Sequence, residues 1–160
     1  MKLITLTDWN AFLSCVEDLI NTPEVQSMRK YPHHPGVNCY EHSVFVAYAA
    51  FRLARKLGWD YRACARAGLL HDLYLFEWWG GAYEGNMPLD HPEAALKNAK
   101  KLTNLTPKEE NIIQAHMWPL AVHMPRSREA WTVSLTDKIC CALETVQIYR
   151  RTKLRAILSA

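Results

Sequence analysis

Leu69-Leu70-His71-Asp72-Leu73 sets an imidazole and a carboxylate side by side at the end of a small, apolar segment containing Ala63, Ala65, Ala67 and Gly68. Burying both groups costs several kcal/mol unless each finds a partner, and a metal ion suits both. Neighbouring helical residues point about 100° apart, so this pair converges on one ion only where a helix is ending. A helix C-terminus whose dipole favours the His accommodates the same residues without metal, and the rest of the chain decides between the two readings. Four of the seven histidines (His42, His71, His91, His116) fall at the ends or on the apolar stripes of four separate expected helices. Asp137 lies mid-helix among Val133, Leu135, Ile139, Cys140 and Cys141, where an Asp is a poor helix former and an unwelcome charge. With Asp72 these residues make a nitrogen and oxygen donor set with two negative charges. Such a set suits Fe, Mn, Co, Ni or Zn better than Ca or Mg. Independent burial of all six would be an improbable accumulation of unpaired polarity.

The elements that must carry this set are helices. Thr7 or Asp8 opens a first helix through about Ile20, and Thr22-Pro23 starts a short second one through about Met28. Tyr31 to Gly36 reads as a loop from its prolines and glycine, whose His33 and His34 either reach a site or are solvated, with solvation the favoured reading. A long helix from about Cys39 to Leu57 stops at Gly58 and presents His42, Phe45, Val46, Ala49 and Leu53 as its buried stripe. Asp60 caps the next helix, whose narrow face of Cys64, Gly68 and His71 lets backbones approach and brings His42 near His71. The aromatic, glycine-rich stretch 74–89, with Trp78 and Trp79, reads as a lid or wall over a pocket, or as a plain connection. Asp90-His91-Pro92-Glu93 resembles a capping box that puts His91 in a first turn, where the positive dipole end keeps the ring neutral. Thr106-Pro107 begins a helix carrying Ile112, Ile113 and His116. A last helix from about Arg128 to Arg150 runs on Trp131, Leu135, Ile139, Ala142, Val146 and Tyr149. The expectation is an all-α, single-domain bundle of about six to seven helices spanning residues 1–160, with the metal site in its core.

Composition bounds the rest. A chain of 160 residues, 49% hydrophobic and 22% charged, is of globular type and has no apolar run approaching the roughly 20 residues of a membrane span. The start of the chain carries no signal-peptide pattern, and five cysteines without a C-x-x-C pair read as reduced core residues, so a cytoplasmic location is expected. A net charge of +3 is too small to imply nucleic acid as a partner, and no membrane partner is expected. Arg150, Arg151, Lys153 and Arg155 read as a solvated helix end, with a phosphate-facing patch as the lesser reading.

The order His42, His71-Asp72, Asp137 on helices resembles the HD-domain superfamily of metal-dependent phosphohydrolases, over about residues 34–144. The resemblance implies that His42, His71 and Asp137 hold one divalent metal. His91-Pro92 and His116 stand where binuclear members hold a second, with Asp72 bridging. The chain departs from the cyclic-dinucleotide phosphodiesterase branch at Leu75 and Met117, where that branch has Lys and a second His. It is also similar to bacterial members that split dinucleoside polyphosphates. The implied activity is hydrolysis of a phosphate ester or anhydride in a small, nucleotide-like substrate by metal-activated hydroxide. Asp72 and His71 are the catalytic pair in this expectation, and His123, Arg126, Arg128 and Lys138 are candidate phosphate binders. Two other readings share the same ligands: an HD-type di-iron oxygenase, and a non-enzymatic module that binds a nucleotide or partner. Oligomeric state, a homodimer included, is left open.

Overall fold

The computed structural model describes residues 6–76 and 85–146. Among these, seven α-helices follow in order: α1 (Leu6–Val16), α2 (Pro23–Ser27), α3 (Cys39–Lys56), α4 (Tyr61–Leu70), α5 (Met87–Leu102), α6 (Pro107–Ala115) and α7 (Arg128–Thr145). This is the expected all-α architecture. One local difference is an antiparallel hairpin, β1 (Pro32–His34) and β2 (Val37–Asn38), in place of the expected loop. Gly36 turns it with φ +76°, a conformation that costs glycine nothing. Trp78 and Trp79, the basic cluster from Arg150 to Arg155, and Tyr149 lie outside the described residues.

Helix boundaries follow local chemistry. Thr22, Asn38, Asp60, Thr106 and Ser127 each accept a backbone N–H of the first turn, with reciprocal capping boxes at Asn38/Glu41 and Thr106/Glu109. Gly58, at φ +68°, ends the turn after α3. Helix α5 differs from expectation: it begins at Met87, with Pro88 in its first turn and Pro92 inside it. His91 therefore stands in the second turn, and Asp90 accepts a hydrogen bond from the backbone of Asn86 at 2.7 Å.

The core is centred on α3, which packs on α4 and α7, while α4 also meets α1 and α6. Closest approach falls at Gly68, where an added Cβ would lie 2.9 Å from the Ala47 Cα. Two expected faces are rotated. On α3, Leu53 is exposed and the buried side runs through His42, Val46, Ala47, Ala50, Phe51 and Ala54. On α7 the expected apolar spine, Trp131, Leu135, Ile139 and Val146, faces solvent. The helix instead buries Thr132, Val133, Ser134, Asp137, Cys140 and Glu144. That polarity is tolerated because its members are bonded, Thr132 to the Arg128 carbonyl at 2.7 Å and Ser134 to the His116 carbonyl at 2.7 Å.

Arg66, on α4, is a buried cation that ties the segment after α1 and the end of α5 to α6. It donates to Asp18 at 2.6 Å and to Thr103 at 3.2 Å, and its Nε lies 3.2 Å from the buried carboxylate of Glu109. Replacing only Arg66 leaves Glu109 charged and unmatched, so Arg66→Ala is expected to cost about 3 kcal/mol. The check is a lowered urea midpoint at unchanged m-value.

Candidate metal centre

Four helix ends and one helix middle deliver the polar residues. His71 and His116 are the C-cap residues of α4 and α6, His91 sits near the start of α5, His42 in the first turn of α3, and Asp137 in the middle of α7. All six expected ligands are buried, with His42 and His71 fully so. The His42 and His71 ring centroids are 5.3 Å apart. Asp72 lies just past α4, in a segment whose carbonyls are gripped from outside. Tyr31 donates to the Leu75 carbonyl at 3.1 Å, Asn98 to that of Leu73 at 2.8 Å, and the Cys39 thiol to that of Asp72 at 3.3 Å. These bonds hold Leu75 in a left-handed conformation, φ +57°, that costs an L-residue about 1 kcal/mol. On the far side, Ser134 at 2.7 Å and Lys138 at 2.8 Å both donate to the His116 carbonyl.

The tautomers are set by what each Nδ1 meets. Nδ1 of His71 donates to the Gly68 carbonyl at 2.7 Å, Nδ1 of His91 to that of Met87 at 2.6 Å, and Nδ1 of His116 to that of Ile113 at 2.7 Å. Nδ1 of His42 donates to Glu144 at 2.9 Å. Every ring thus turns Nε2 inward, toward Asp72. The two oxygens of Asp72 face different groups. Oδ2 is 3.4 Å from His71 Nε2 and 3.7 Å from His42 Nε2, whereas Oδ1 is 3.4 Å from His91 Nε2 and 3.6 Å from His116 Nε2. Oδ1 of Asp137 lies 3.1 Å from His42 Nε2 and 3.7 Å from His71 Nε2.

The charge states of this cluster are strongly perturbed. Burial opposes a charged His42, but hydrogen bonds to Asp137 and Glu144 outweigh it and hold its pKa up to about 10. Burial, reinforced by the neighbouring imidazoles of His71 and His91, pushes His116 down to about 3. Asp72 stays ionised well below the ordinary carboxylate range: burial acts against it, and the surrounding histidines, His71 first, prevail. His91 and His116 pose the sharpest problem. Their Nε2 atoms are 2.8 Å apart, and both rings carry a proton on Nδ1. Two lone pairs therefore meet, and only a proton or a cation relieves them. His71 Nε2 and Asp72 Oδ1 are likewise buried without a hydrogen-bond partner. Four groups in this cluster, His42/His71/Asp137, His71/Asp72/His116, His33/Cys39/Asp72 and His33/His34/His42/Cys141, have ligand atoms within 4.8 Å of one another. The donor set fits a divalent transition metal by chemistry as well as by spacing.

Three further residues join the site: His33 and His34, for which the sequence favoured solvation over a place in a site, and Glu144, which it did not single out. His33 stacks on His42 with centroids 4.0 Å apart and lies 3.7 Å from Asp72 Oδ2, and His34 Nε2 lies 3.9 Å from Glu144 Oε2. Glu144 is 1% exposed. Its signal was its place seven residues, about two turns, beyond Asp137 on the same face of α7. The four candidate phosphate binders lie elsewhere. His123 is 3.0 Å from Glu93, Arg126 is exposed, Arg128 covers the Trp59 ring at 5.3 Å, and Lys138 is engaged by the His116 and Ser134 carbonyls. A cavity of about 240 Å³ opens onto the cluster, and the described residues lining it include His33, His34, Asp72, Tyr74, His91 and Asp137 but none of those four.

A bundle with this His/Asp cluster belongs to the HD-domain family, the superfamily of metal-dependent phosphohydrolases, whose profile matches residues 39–140. Two curated relatives are named Ribonuclease Y. One, from Treponema pallidum (strain Nichols), is 31% identical over 107 residues, 67% of this chain and 19% of that protein. The other, from Desulforudis audaxviator (strain MP104C), is 33% identical over 135 residues, 80% of this chain and 24% of that protein. The chain thus spans about a fifth to a quarter of the length of these relatives. No solved structure matches significantly. The relatives correct the expectation that nucleic acid is not a partner, because both are named as ribonucleases. Net charge was a poor guide: it sums the whole surface, whereas a nuclease can engage a phosphodiester through a few local cations. No helix among the described residues is long and apolar enough to cross a membrane.

Proposed function

We propose that this chain is a metal-dependent phosphohydrolase whose substrate is a phosphodiester of RNA or of a short oligoribonucleotide. One observation carries the reading: four inward-facing Nε2 atoms converge on the two oxygens of a buried Asp72, with two of them in mutual lone-pair contact. The ribonuclease name of both relatives supports the substrate class. His42, His71 and Asp137 would hold one divalent ion and His91 and His116 a second, with one Asp72 oxygen toward each. The ions supply Lewis acidity and lower the pKa of water from near 16 toward roughly 7. The protein's own part is positional. Asp72, held ionised by the surrounding histidines, would orient the attacking water, and the helix-end carbonyls fix the imidazoles beside the 240 Å³ cavity.

The test is metal analysis of protein purified without chelator, then incubation of single-stranded oligoribonucleotides, mononucleotides and dinucleoside polyphosphates with Mn²⁺, Fe²⁺, Co²⁺ or Ni²⁺. Metal-dependent cleavage of the oligoribonucleotide is expected. Bound metal without hydrolysis of any substrate would overturn the enzymatic reading.

Glu144 acts here as a positioning residue, because its carboxylate fixes the His42 ring and raises its basicity as a ligand. Glu144→Ala is expected to weaken metal binding by about 10–100-fold, with Glu144→Gln between it and wild type. Calorimetric titration of the metal-free protein reads this without recourse to turnover. Equal affinities in all three proteins would refute the role.

A further inference from the structure

The hairpin β1–β2 is the part of the site that family membership leaves unexplained. It precedes the matched residues 39–140, yet His33 is packed into the cluster. The ring lies nearly parallel to His42, at 27° and 4.0 Å between centroids. Its Nδ1 is buried, has no hydrogen-bond partner, and faces Asp72 Oδ2 at 3.7 Å. That is the same oxygen that faces His42 and His71. His33, Cys39 and Asp72 offer ligand atoms within 4.8 Å of one another. Cys39 is the weakest of the three as a ligand, because burial pushes its thiol well up and the thiol is already given to the Asp72 carbonyl. His34 has its Nε2 3.9 Å from Glu144 Oε2 and groups with His33, His42 and Cys141 rather than with Asp72. An imidazole nitrogen left bare in a dry site costs free energy unless something binds it.

We propose that His33 is an additional ligand of the metal centre on the Asp72 Oδ2 side, so that metal loading fastens the hairpin over the cavity. This rests on the reading of the His/Asp cluster as a metal centre. The remaining ligands stand on helices or, as His71, Asp72 and His116 do, at or just past helix ends; His33 is carried by three- and two-residue strands. Such a short hairpin is marginal by itself. Its backbone is anchored by the Cys39 N–H to the Tyr31 carbonyl at 2.9 Å and by the Asn38/Glu41 capping box.

The test titrates metal-free wild type, His33→Ala and His33→Gln with Zn²⁺ by calorimetry, and follows hydrogen exchange of residues 32–38 with and without the ion. Loss of a ligand is expected to weaken binding at least about tenfold. Metal is expected to protect the hairpin in wild type and not in either variant. An unchanged affinity, or hairpin protection that persists in the variants, overturns the assignment and leaves the metal centre standing. Absence of any bound ion in wild type overturns both. Should the variants fail to fold, ¹⁵N-histidine spectra of the wild type decide: a His33 Nδ1 resonance that does not move on Zn²⁺ binding overturns the proposal.

Discussion

Asp72→Ala is expected to lose metal binding and phosphodiester hydrolysis together. Among the described residues, its side chain is the one acidic group facing both halves of the cluster, with Oδ2 toward His42 and His71 and Oδ1 toward His91 and His116. Deletion leaves four imidazole nitrogens facing one another with only Asp137 to balance a bound charge. Two divalent ions held by neutral ligands and one carboxylate repel each other in a low-dielectric site. Several kcal/mol of charge stabilisation at the phosphate would be forfeited, which is on the order of 10³-fold or more in kcat/KM. Melting supplies a second, activity-free measure. A ligand at 100 times its Kd stabilises by about 2.7 kcal/mol, roughly 5–10 °C in a domain this size. That metal-dependent rise should appear in wild type and vanish in Asp72→Ala. Full metal-independent hydrolysis by the variant would sink the reading. Asp72→Asn should behave similarly, because the amide keeps the shape and not the charge.

The second large effect is expected at Gly68. Its Cβ would sit 2.9 Å from the Ala47 Cα and 3.3 Å from the Ala47 Cβ, so the backbone of α3 or α4 must give way. Alanine gains up to about 1 kcal/mol of helix propensity over glycine, which partly masks the clash. Overpacking of this kind costs about 1–3 kcal/mol, and Gly68→Val, lacking the propensity gain, should lie at or above the top of that range. The consequence reaches the site, because the Gly68 carbonyl receives the His71 Nδ1 proton and the α3–α4 approach sets the His42–His71 distance. Gly68→Val should therefore lower the melting temperature by about 6–12 °C and also weaken Zn²⁺ affinity at temperatures where it remains folded. A variant of wild-type stability would show that the two helices can part at no cost.

Much of this molecule is legible along the chain. The stop at Gly58, the caps at Asp60 and Thr106, and the prolines at 23 and 107 mark helix ends because their chemistry is local: a side-chain oxygen for an orphan N–H, a left-handed φ, a missing donor. His42, His71, Asp72, His91, His116 and Asp137 stand out for a related reason. Polar groups on apolar helical segments require partners, and their types restrict what those partners are. Where the start of α5 went astray, Asp90 and Pro92 imitated a helix start that Met87 and Pro88 actually make, which shifted His91 by a turn.

Only tertiary packing decided which faces are buried and which neighbours complete the site. Helix α7 is apolar on one side and carries Asp137 and Glu144 on the other. Periodicity selected the apolar side, but burial went to the side with His42 and the His116 carbonyl to meet, leaving Trp131, Leu135 and Ile139 in solvent. His33 and His34 read as solvated because a Pro- and Gly-rich loop carries no periodic signal, and it took the packing of the hairpin on α3 to place them. Sequence fixes the short-range terms, the caps, turns and desolvation demands of single residues. Pairing across 102 residues, as between His42 and Glu144, depends on helix rotations that the whole core sets at once.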